Sequence, residues 1–218
     1  MSKFFNLDSP LMRFLTKLAD MMILNMAFLI SCIPVVTIGA AWTALYYVAT
    51  KMVKDEESGI LRSYWHSFRQ NFRQATVLWL CLLAVAGVLV LDLMILARID
   101  SPVAAAMNTG IAILGILVGM VLQYLFPLLS RFEADTKTTL LNACLLAFGH
   151  LPRTLVMVFS VVGAVLITFY NSYTLSIAIL VWMLLGFALL AFSNSSVLVK
   201  IFDTLENPQG AQSVGDNS

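Results

Sequence analysis

Charged residues are scarce in this chain, since Lys, Arg, Asp and Glu together make up 11% of its 218 residues while 60% are hydrophobic. A soluble domain carries about 25% charged residues, so this composition excludes an ordinary water-soluble protein. The apolar residues form long unbroken runs rather than alternating, which favours helices. Because lipid offers no hydrogen bonds to the backbone, only helices or closed barrels span membranes. The sequence therefore predicts an all-α, polytopic membrane helix bundle.

Residues that carry catalytic or metal chemistry are also few. The three cysteines, Cys32, Cys81 and Cys144, are far apart, which argues against both a disulfide framework and a zinc site. His66 and His150 have no Cys or carboxylate at ligand spacing. The sequence contains no phosphate-binding glycine loop, Gly-x-Ser-x-Gly elbow or His-Glu-x-x-His helix. We therefore expect no enzyme activity, no cofactor, no metal and no nucleic-acid partner.

The apolar stretch Asn25–Val48 is interrupted by Pro34 and Gly39. Proline removes a backbone donor and disfavours the helical conformation of the residue before it, so one straight helix is not expected. The pattern instead predicts a hairpin: a first helix ending at Ile33, a turn over 34–37, and a second helix from Gly39.

Four more apolar segments follow, so that six membrane spans are predicted in all. Polar, amphipathic segments at 51–74 and 130–153 separate the second span from the third and the fourth from the fifth. The fourth span is expected to end at about Leu129, in the segment that begins with Pro127. Residues 1–202 would form one membrane domain, and residues 203–218 a disordered cytoplasmic tail. The four later spans are predicted at 75–97, 103–129, 155–170 and 174–198.

The distribution of basic residues predicts the orientation of these spans. With six spans, 12 of the 13 Lys and Arg residues lie on the side of the two termini, and Arg98 alone lies on the other. Because basic residues accumulate on the cytoplasmic side of membrane proteins, we expect both termini to be cytoplasmic.

The segment 60–74 has the pattern of a basic amphipathic helix. Aromatic residues such as Trp65 and Phe68 fall on one side, and Arg62 and Arg69 fall on the other. Such a helix either binds a partner protein or lies on the lipid surface, and the sequence leaves both interpretations open. The candidate partner-binding residues, from this segment and the second one, are Arg62, Trp65, Phe68, Arg69, Phe72, Arg73, His150 and Arg153.

Four polar residues are predicted inside the spans: Asn25, Asp92, Gln123 and Asn194. An acid within a span is a candidate proton or cation site because its charge is costly in lipid. Alternatively, Asp92 lies close enough to the outer end to reach water or Arg98. The three amides either line a polar cavity or form hydrogen bonds between helices.

Several motifs together resemble the YesL-like family of small bacterial membrane proteins. They are FFNLDSPLMRFLTKLAD near the N-terminus, N-x(8)-PVVTIGAAWTALYY from Asn25, SYWHSFRQNFRQA from Ser63, and HLPRTL from His150. The resemblance covers nearly the whole chain. It implies a bacterial cytoplasmic membrane and genetic neighbourhood with carbohydrate ABC importers, sensor kinases and glycoside hydrolases, and it supplies no catalytic residues.

Two functional hypotheses follow. In the first, the protein is an inner-membrane accessory component of a carbohydrate uptake or sensing system and binds partner membrane proteins. In the second, it is a small transporter or channel with a polar pathway of its own near Asp92, Gln123 and Asn194.

Overall fold

The structure, a computed structural model, describes residues 10–56, 59–132 and 134–206, and the regular structure in these ranges is entirely helical. Short turns join the helices, and a 3₁₀ turn at Val35–Thr37 precedes α2. The helices in chain order are α1 (Pro10–Ser31), α2 (Ile38–Val53), α3 (Ile60–Leu96), α4 (Pro102–Arg131), α5 (Thr136–Gly149), α6 (Leu151–Thr168), α7 (Ser172–Val181), a π-helical segment (Trp182–Gly186) and α8 (Phe187–Glu206).

The predicted hairpin is present. Pro34 has an extended backbone conformation, with φ −78° and ψ 117°, and separates α1 from the 3₁₀ turn. The Thr37 hydroxyl donates to the carbonyl oxygens of Ser31 and Pro34 and so closes the open end of α1. At the far end of the two arms, Lys17 Nζ lies 2.9 Å from the Asp55 carboxylate, which shows that the arms run antiparallel. This hydrogen bond and the charge of Lys17 also lower the pKa of Asp55.

Helix α2 is the centre of the bundle and packs against α1, α3, α4 and α8. Ten of its 16 residues are buried, including Gly39 and four alanines. Small side chains allow neighbouring backbones to approach closely, which is the usual basis of helix packing in membranes. The small residues of α2 therefore let four neighbouring helices pack closely around it.

Helix α3 has two different halves. Its buried residues end at Leu78, and Trp79 donates from Nε1 to the carbonyl oxygen of Val35 at 2.8 Å. Beyond Trp79 the helix continues for residues 80–96, about 25 Å at roughly 1.5 Å per residue. These residues and the first half of α4 form an apolar hairpin whose side chains are mostly exposed. Such a surface is expected where helices face lipid.

Five helical segments have the length and hydropathy needed to cross a membrane: α1, α3, α4, α6 and the continuous helix from α7 to α8. The prediction of a helical membrane protein is thereby confirmed. Helix α2 is shorter, at 16 residues, so six spans remains a prediction. Asp203 accepts hydrogen bonds from Lys54 at 2.9 Å and Arg131 at 3.0 Å, which brings the C-terminal ends of α2, α4 and α8 together.

Two sequence boundaries differ from the structure. Helix α4 continues through Pro127 to Arg131 and so ends beyond the predicted end of the fourth span at about Leu129. Proline removes only one hydrogen bond from the helix, and the residues around Pro127 are buried against the bundle, so packing maintains the helix there. Helix α8 runs to Glu206, and residues 207–218 of the predicted tail lie outside the described ranges.

Candidate functional site

A π-helical turn interrupts the long helix formed by α7 and α8, at Trp182–Gly186. A π turn shifts hydrogen bonds to the i→i+5 pattern and leaves some backbone groups without their usual helical partners. The buried side chain of Asn25 supplies such partners from α1. Its Nδ2 donates to the carbonyl oxygens of Trp182 at 3.0 Å and Met183 at 2.7 Å.

The same side chain also accepts hydrogen bonds from the other side of the π turn. Asn25 Oδ1 receives the backbone N–H groups of Phe187 and Ala188, each at 3.1 Å. The amide thus uses two donors and accepts twice, which is nearly its full hydrogen-bonding capacity. Of the two interpretations of this residue, hydrogen bonding between helices is the one that the structure shows.

Beside the π turn, the helices enclose a cavity of about 500 Å³. Its walls come from α1, α2, α3, α4, α6 and α8 together with the π turn, and they are mainly aromatic and aliphatic. We call it the aromatic cavity. The aromatic residues that line it are Phe28, Trp42, Tyr46, Trp79, Phe126, Trp182 and Phe187.

The aromatic rings of the cavity contact one another. Trp42 and Phe126 stack with their centroids 6.0 Å apart, and Trp182 lies 4.8 Å from Phe187. Offset and edge contacts of this kind stabilise aromatic clusters beyond the area that they bury. The grouping of these residues could not be predicted from sequence, because they are spread over six elements and share no spacing.

Among the described residues, three with polar side-chain groups apart from tryptophan line the aromatic cavity: Tyr46, Gln123 and Asn194. Asn194 Oδ1 accepts from the Ser160 hydroxyl at 2.8 Å, and its Nδ2 donates to the Tyr46 hydroxyl at 3.4 Å. Gln123 is half-buried, and its side chain forms no hydrogen bond with the residues that the structure describes. Two of the predicted intramembrane polar residues therefore share this cavity.

Asp92 lies outside the aromatic cavity. It is half-buried in the last turns of α3, does not line the aromatic cavity, and forms no ion pair within the described ranges. The structure thus separates it from Gln123 and Asn194, with which the sequence grouped it.

We expect Asp92→Asn to leave the membrane level and the thermal stability of the protein near wild type, within about 0.5 kcal/mol, because no partner is lost. Thermal unfolding in detergent measures this, with Asn194→Leu as a control that removes two buried hydrogen bonds and should lower the melting temperature. If Asp92→Asn abolishes an uptake phenotype at a normal membrane level, Asp92 is a functional proton or cation site.

A second concave surface lies between the C-terminal half of α2 and the start of α3. It is an open cleft of about 980 Å³, which we call the basic cleft. Lys51, Arg62 and Arg69 line it together with His66, and no Asp or Glu of the described ranges does. The lining is completed by Tyr47, Ser63, Trp65 and Gln70.

The charge of the basic cleft is largely uncompensated. Lys51 Nζ lies 4.7 Å from the centroid of the Tyr47 ring, a favourable cation–π contact that leaves its charge in place. Arg62, His66 and Arg69 form no hydrogen bond or ion pair with described residues. Clefts lined by one sign of charge concentrate the field and attract ligands of the opposite sign.

The structure brings three of the eight candidate partner-binding residues into this cleft: Arg62, Trp65 and Arg69. Phe68 is instead half-buried and packs against the core. Phe72 and Arg73 are exposed further along α3.

The last two candidate partner-binding residues, His150 and Arg153, lie near the junction of α5 and α6. His150 lies at the junction of α5 and α6, where its Nδ1 is buried without a hydrogen-bond partner in the described part of the chain. Arg153 is exposed in the first turn of α6. Neither residue lines the basic cleft.

Comparison with known proteins agrees with the sequence motifs. A family described as "Protein of unknown function, DUF624" matches residues 21–93, which include the second half of α1, all of α2 and most of α3. The chain is also 25% identical over 156 residues to the uncharacterized protein YesL of Bacillus subtilis (strain 168), which covers 71% of this chain and 73% of that protein. No solved structure matches. The resemblance of this helical membrane protein to the YesL-like family, whose function is unknown, is thereby confirmed.

Proposed function

We propose that this protein is an accessory component of a bacterial membrane assembly and that it binds an acidic segment of a partner membrane protein in the basic cleft. The observation that carries this proposal is the uncompensated charge of Lys51, Arg62 and Arg69 in one open surface. Three other basic residues of the bundle form ion pairs: Lys17 with Asp55, and both Lys54 and Arg131 with Asp203. The cations of the basic cleft differ from these three because no acid among the described residues lines their surface.

The spacing of the two arginines predicts the spacing of the acidic groups on the partner. Arg62 and Arg69 are seven residues apart on α3, so their Cα atoms are about 10 Å apart along the same side of the helix. Two carboxylates at that separation on the partner would each receive paired hydrogen bonds from a guanidinium. Trp65 lies between them and is 41% exposed, which offers an apolar contact at the centre of the surface.

The family resemblance supports a more specific assignment. Because YesL-like proteins are encoded near carbohydrate importers, sensor kinases and glycoside hydrolases, we place the partner in a carbohydrate uptake or sensing system. The positive-inside rule then places the basic cleft and both termini on the cytoplasmic side of the cytoplasmic membrane.

Replacing Arg69 by lysine tests partner binding, because lysine keeps the charge but loses the paired geometry of arginine. We expect Arg69→Lys to weaken copurification of the partner about ten-fold while insertion stays normal, since a hydrogen bond to a charged group contributes ~1.5 kcal/mol or more. Quantitative mass spectrometry of material purified in mild detergent measures this. Arg73→Lys is the matched control, one turn further along α3 and outside the cleft.

Lipid binding predicts a different result. Attraction to anionic headgroups depends on charge, at about 1 kcal/mol per cation, and not on the shape of the guanidinium. If Arg69→Lys retains every partner and only Arg69→Gln has an effect, the first turns of α3 bind the lipid surface. The proposed partner-binding site in the basic cleft would then be wrong.

The second candidate, a small transporter or channel, is favoured by one observation: Gln123 and Asn194 share the aromatic cavity. Solute flux into vesicles that contain this protein alone would support it. The absence of Asp92 from the cavity and the scarcity of polar groups in its wall make a path for ions or sugars less favourable than partner binding.

The proposed orientation makes a labelling prediction. In a variant without Cys32, Cys81 and Cys144, a single cysteine at Ser172, the first residue of α7, should react with an impermeant thiol reagent added to intact cells. One at Thr138, in the first turns of α5, should react only after the cells are opened. The reverse pattern would place the basic cleft outside the cell, where the proposed cytoplasmic partner is not available.

A further inference from the structure

We infer that the aromatic cavity binds a neutral, apolar molecule taken from the lipid bilayer, an acyl-like chain with a single hydroxyl or carbonyl group held by Gln123. This site is separate from the basic cleft and does not depend on the partner proposed there. The inference rests on the size of the cavity, its lining, the position of its opening and the way its wall is held.

The size and the lining exclude most other ligands. A volume of about 500 Å³ lies within the range of small-molecule sites, which is roughly 300–1,000 Å³. In the part of the chain that the structure describes, no Asp, Glu, Lys, Arg or His lines the aromatic cavity. A charged ligand would therefore lose its hydration without gaining an ion pair, which is strongly unfavourable.

The polar groups of the cavity allow for only one polar group on the ligand. Asn194 already bonds to Ser160 and Tyr46, so its capacity is largely used. Gln123 retains both a donor and an acceptor with respect to the described residues. A sugar would bury many hydroxyls against aromatic and aliphatic walls and leave most of them unpaired, whereas a chain with one hydroxyl or carbonyl would leave none.

The opening of the cavity lies on a surface suited to lipid. Among the lining residues, Ile116 is 62% exposed, and Val162 and Val165 are each 44% exposed, although all three are apolar. Gly119 also lines the cavity, and a Cβ placed there would meet no atom within 4 Å. An entrance bordered by aliphatic side chains on membrane-crossing helices admits molecules dissolved in the bilayer.

Contacts within the protein hold the wall of the aromatic cavity in place, so a ligand does not have to form it. Trp182 and Phe187 stand at the two ends of the π turn, and the four hydrogen bonds of Asn25 hold that turn. π turns are frequent at functional sites. A preformed wall avoids the cost of ordering aromatic side chains when a ligand binds.

Tryptophan fluorescence provides the test, because Trp42, Trp79 and Trp182 line the aromatic cavity and the fourth tryptophan, Trp65, faces the basic cleft. The Trp65→Phe protein, purified in detergent, would be titrated with a long-chain alcohol that carries bromine atoms on its chain. We expect saturable quenching with one alcohol bound per protein. Quenching that rises linearly without saturation would overturn the inference.

Two glycines of α4 provide matched variants in the Trp65→Phe background. Gly119→Phe places a ring in the cavity and should weaken binding of the alcohol by at least about ten-fold. Gly115→Phe adds the same ring one turn earlier, where a Cβ also meets no atom within 4 Å. Because Gly115 does not line the aromatic cavity, this variant should bind the alcohol as tightly as the parent does. Melting temperatures equal to that of the parent show that both variants fold, and equal binding by the two variants would overturn the inference.

Gln123→Leu tests the single polar contact. It should weaken binding of the brominated alcohol several-fold and leave binding of a brominated alkane of the same length unchanged, because the alkane makes no hydrogen bond. A brominated fatty acid above its pKa should not saturate the site. If the ionised acid binds as tightly as the alcohol, the cavity is not selective for neutral molecules and the inference fails.

Lipid extraction from protein purified directly out of membranes identifies the source of the chain. A phospholipid retained by the parent but lost from Gly119→Phe would identify a phospholipid chain as the occupant. A neutral alcohol or ketone lost in the same comparison would identify a free molecule. Equal amounts of every extracted lipid in the two proteins would contradict a site in this cavity. Loss of the partner in Arg69→Lys alters none of these readouts.

Discussion

Asn25→Ala is expected to destabilise the protein by about 3 kcal/mol, because it leaves up to four buried backbone groups of the π turn without partners. Each unpaired buried group costs about 1–3 kcal/mol, and partial relaxation of the turn toward a regular helix would recover some of that cost. Thermal or denaturant unfolding in detergent measures the change. Quenching by the brominated alcohol should weaken in parallel, since Trp182 and Phe187 lose the contact that holds their positions.

Asn71→Ala is the control for this variant. Its amide bonds only to Ser67, one turn earlier in the same helix, at 3.1 Å from the carbonyl oxygen. Removing a local, half-buried contact of this kind should change stability by less than about 0.5 kcal/mol. If Asn25→Ala is as stable as Asn71→Ala, the π turn does not depend on the side chain from α1.

Gly39→Ala should also be strongly destabilising, by about 2–3 kcal/mol, because α2 and α3 touch at this point. A Cβ on Gly39 would lie 2.5 Å from the carbonyl oxygen of Ala75 and 2.6 Å from Cβ of Trp79. Both atoms belong to the backbone or the base of a side chain, so the helices themselves must separate, and overpacking costs about 1–3 kcal/mol. Separation would also stretch the hydrogen bond from Trp79 to Val35 that holds the hairpin turn.

Gly87→Ala, on the exposed half of α3, is expected to change the stability in the opposite direction. A Cβ there meets no atom within 4 Å, so no clash occurs. Alanine is favoured over glycine inside a helix by roughly 1 kcal/mol, and this variant should be neutral or slightly more stable. If the two alanine variants unfold alike, the close approach of α2 and α3 is not what requires glycine at position 39.

The hairpin could be predicted from sequence because its causes are local. Pro34 restricts its own backbone and that of the residue before it, and this restriction holds whatever the rest of the chain does. Long apolar runs likewise identify membrane-crossing helices from composition alone. Pro127 shows the limit of the same rule, since burial around it compensates for one lost hydrogen bond and α4 continues.

The polar residues within the spans show what sequence could not decide. Asn25, Gln123 and Asn194 have similar side chains in similar apolar surroundings, yet one holds a π turn, one bonds to Tyr46 and Ser160, and one keeps unused capacity in a cavity. Spacing along one helix carries no information about which of these applies.

By itself, the sequence determined the class of this protein, the place of its turn and the basic side of its third helix, since each depends on residues close together in the chain. Only the tertiary structure decided that Asn25 contacts Trp182, that seven aromatic residues line one cavity, and that Lys51 joins Arg62 and Arg69 in one cleft. The physical reason is that these contacts join separate helices, in one case 157 residues apart, and no local preference of the backbone encodes them.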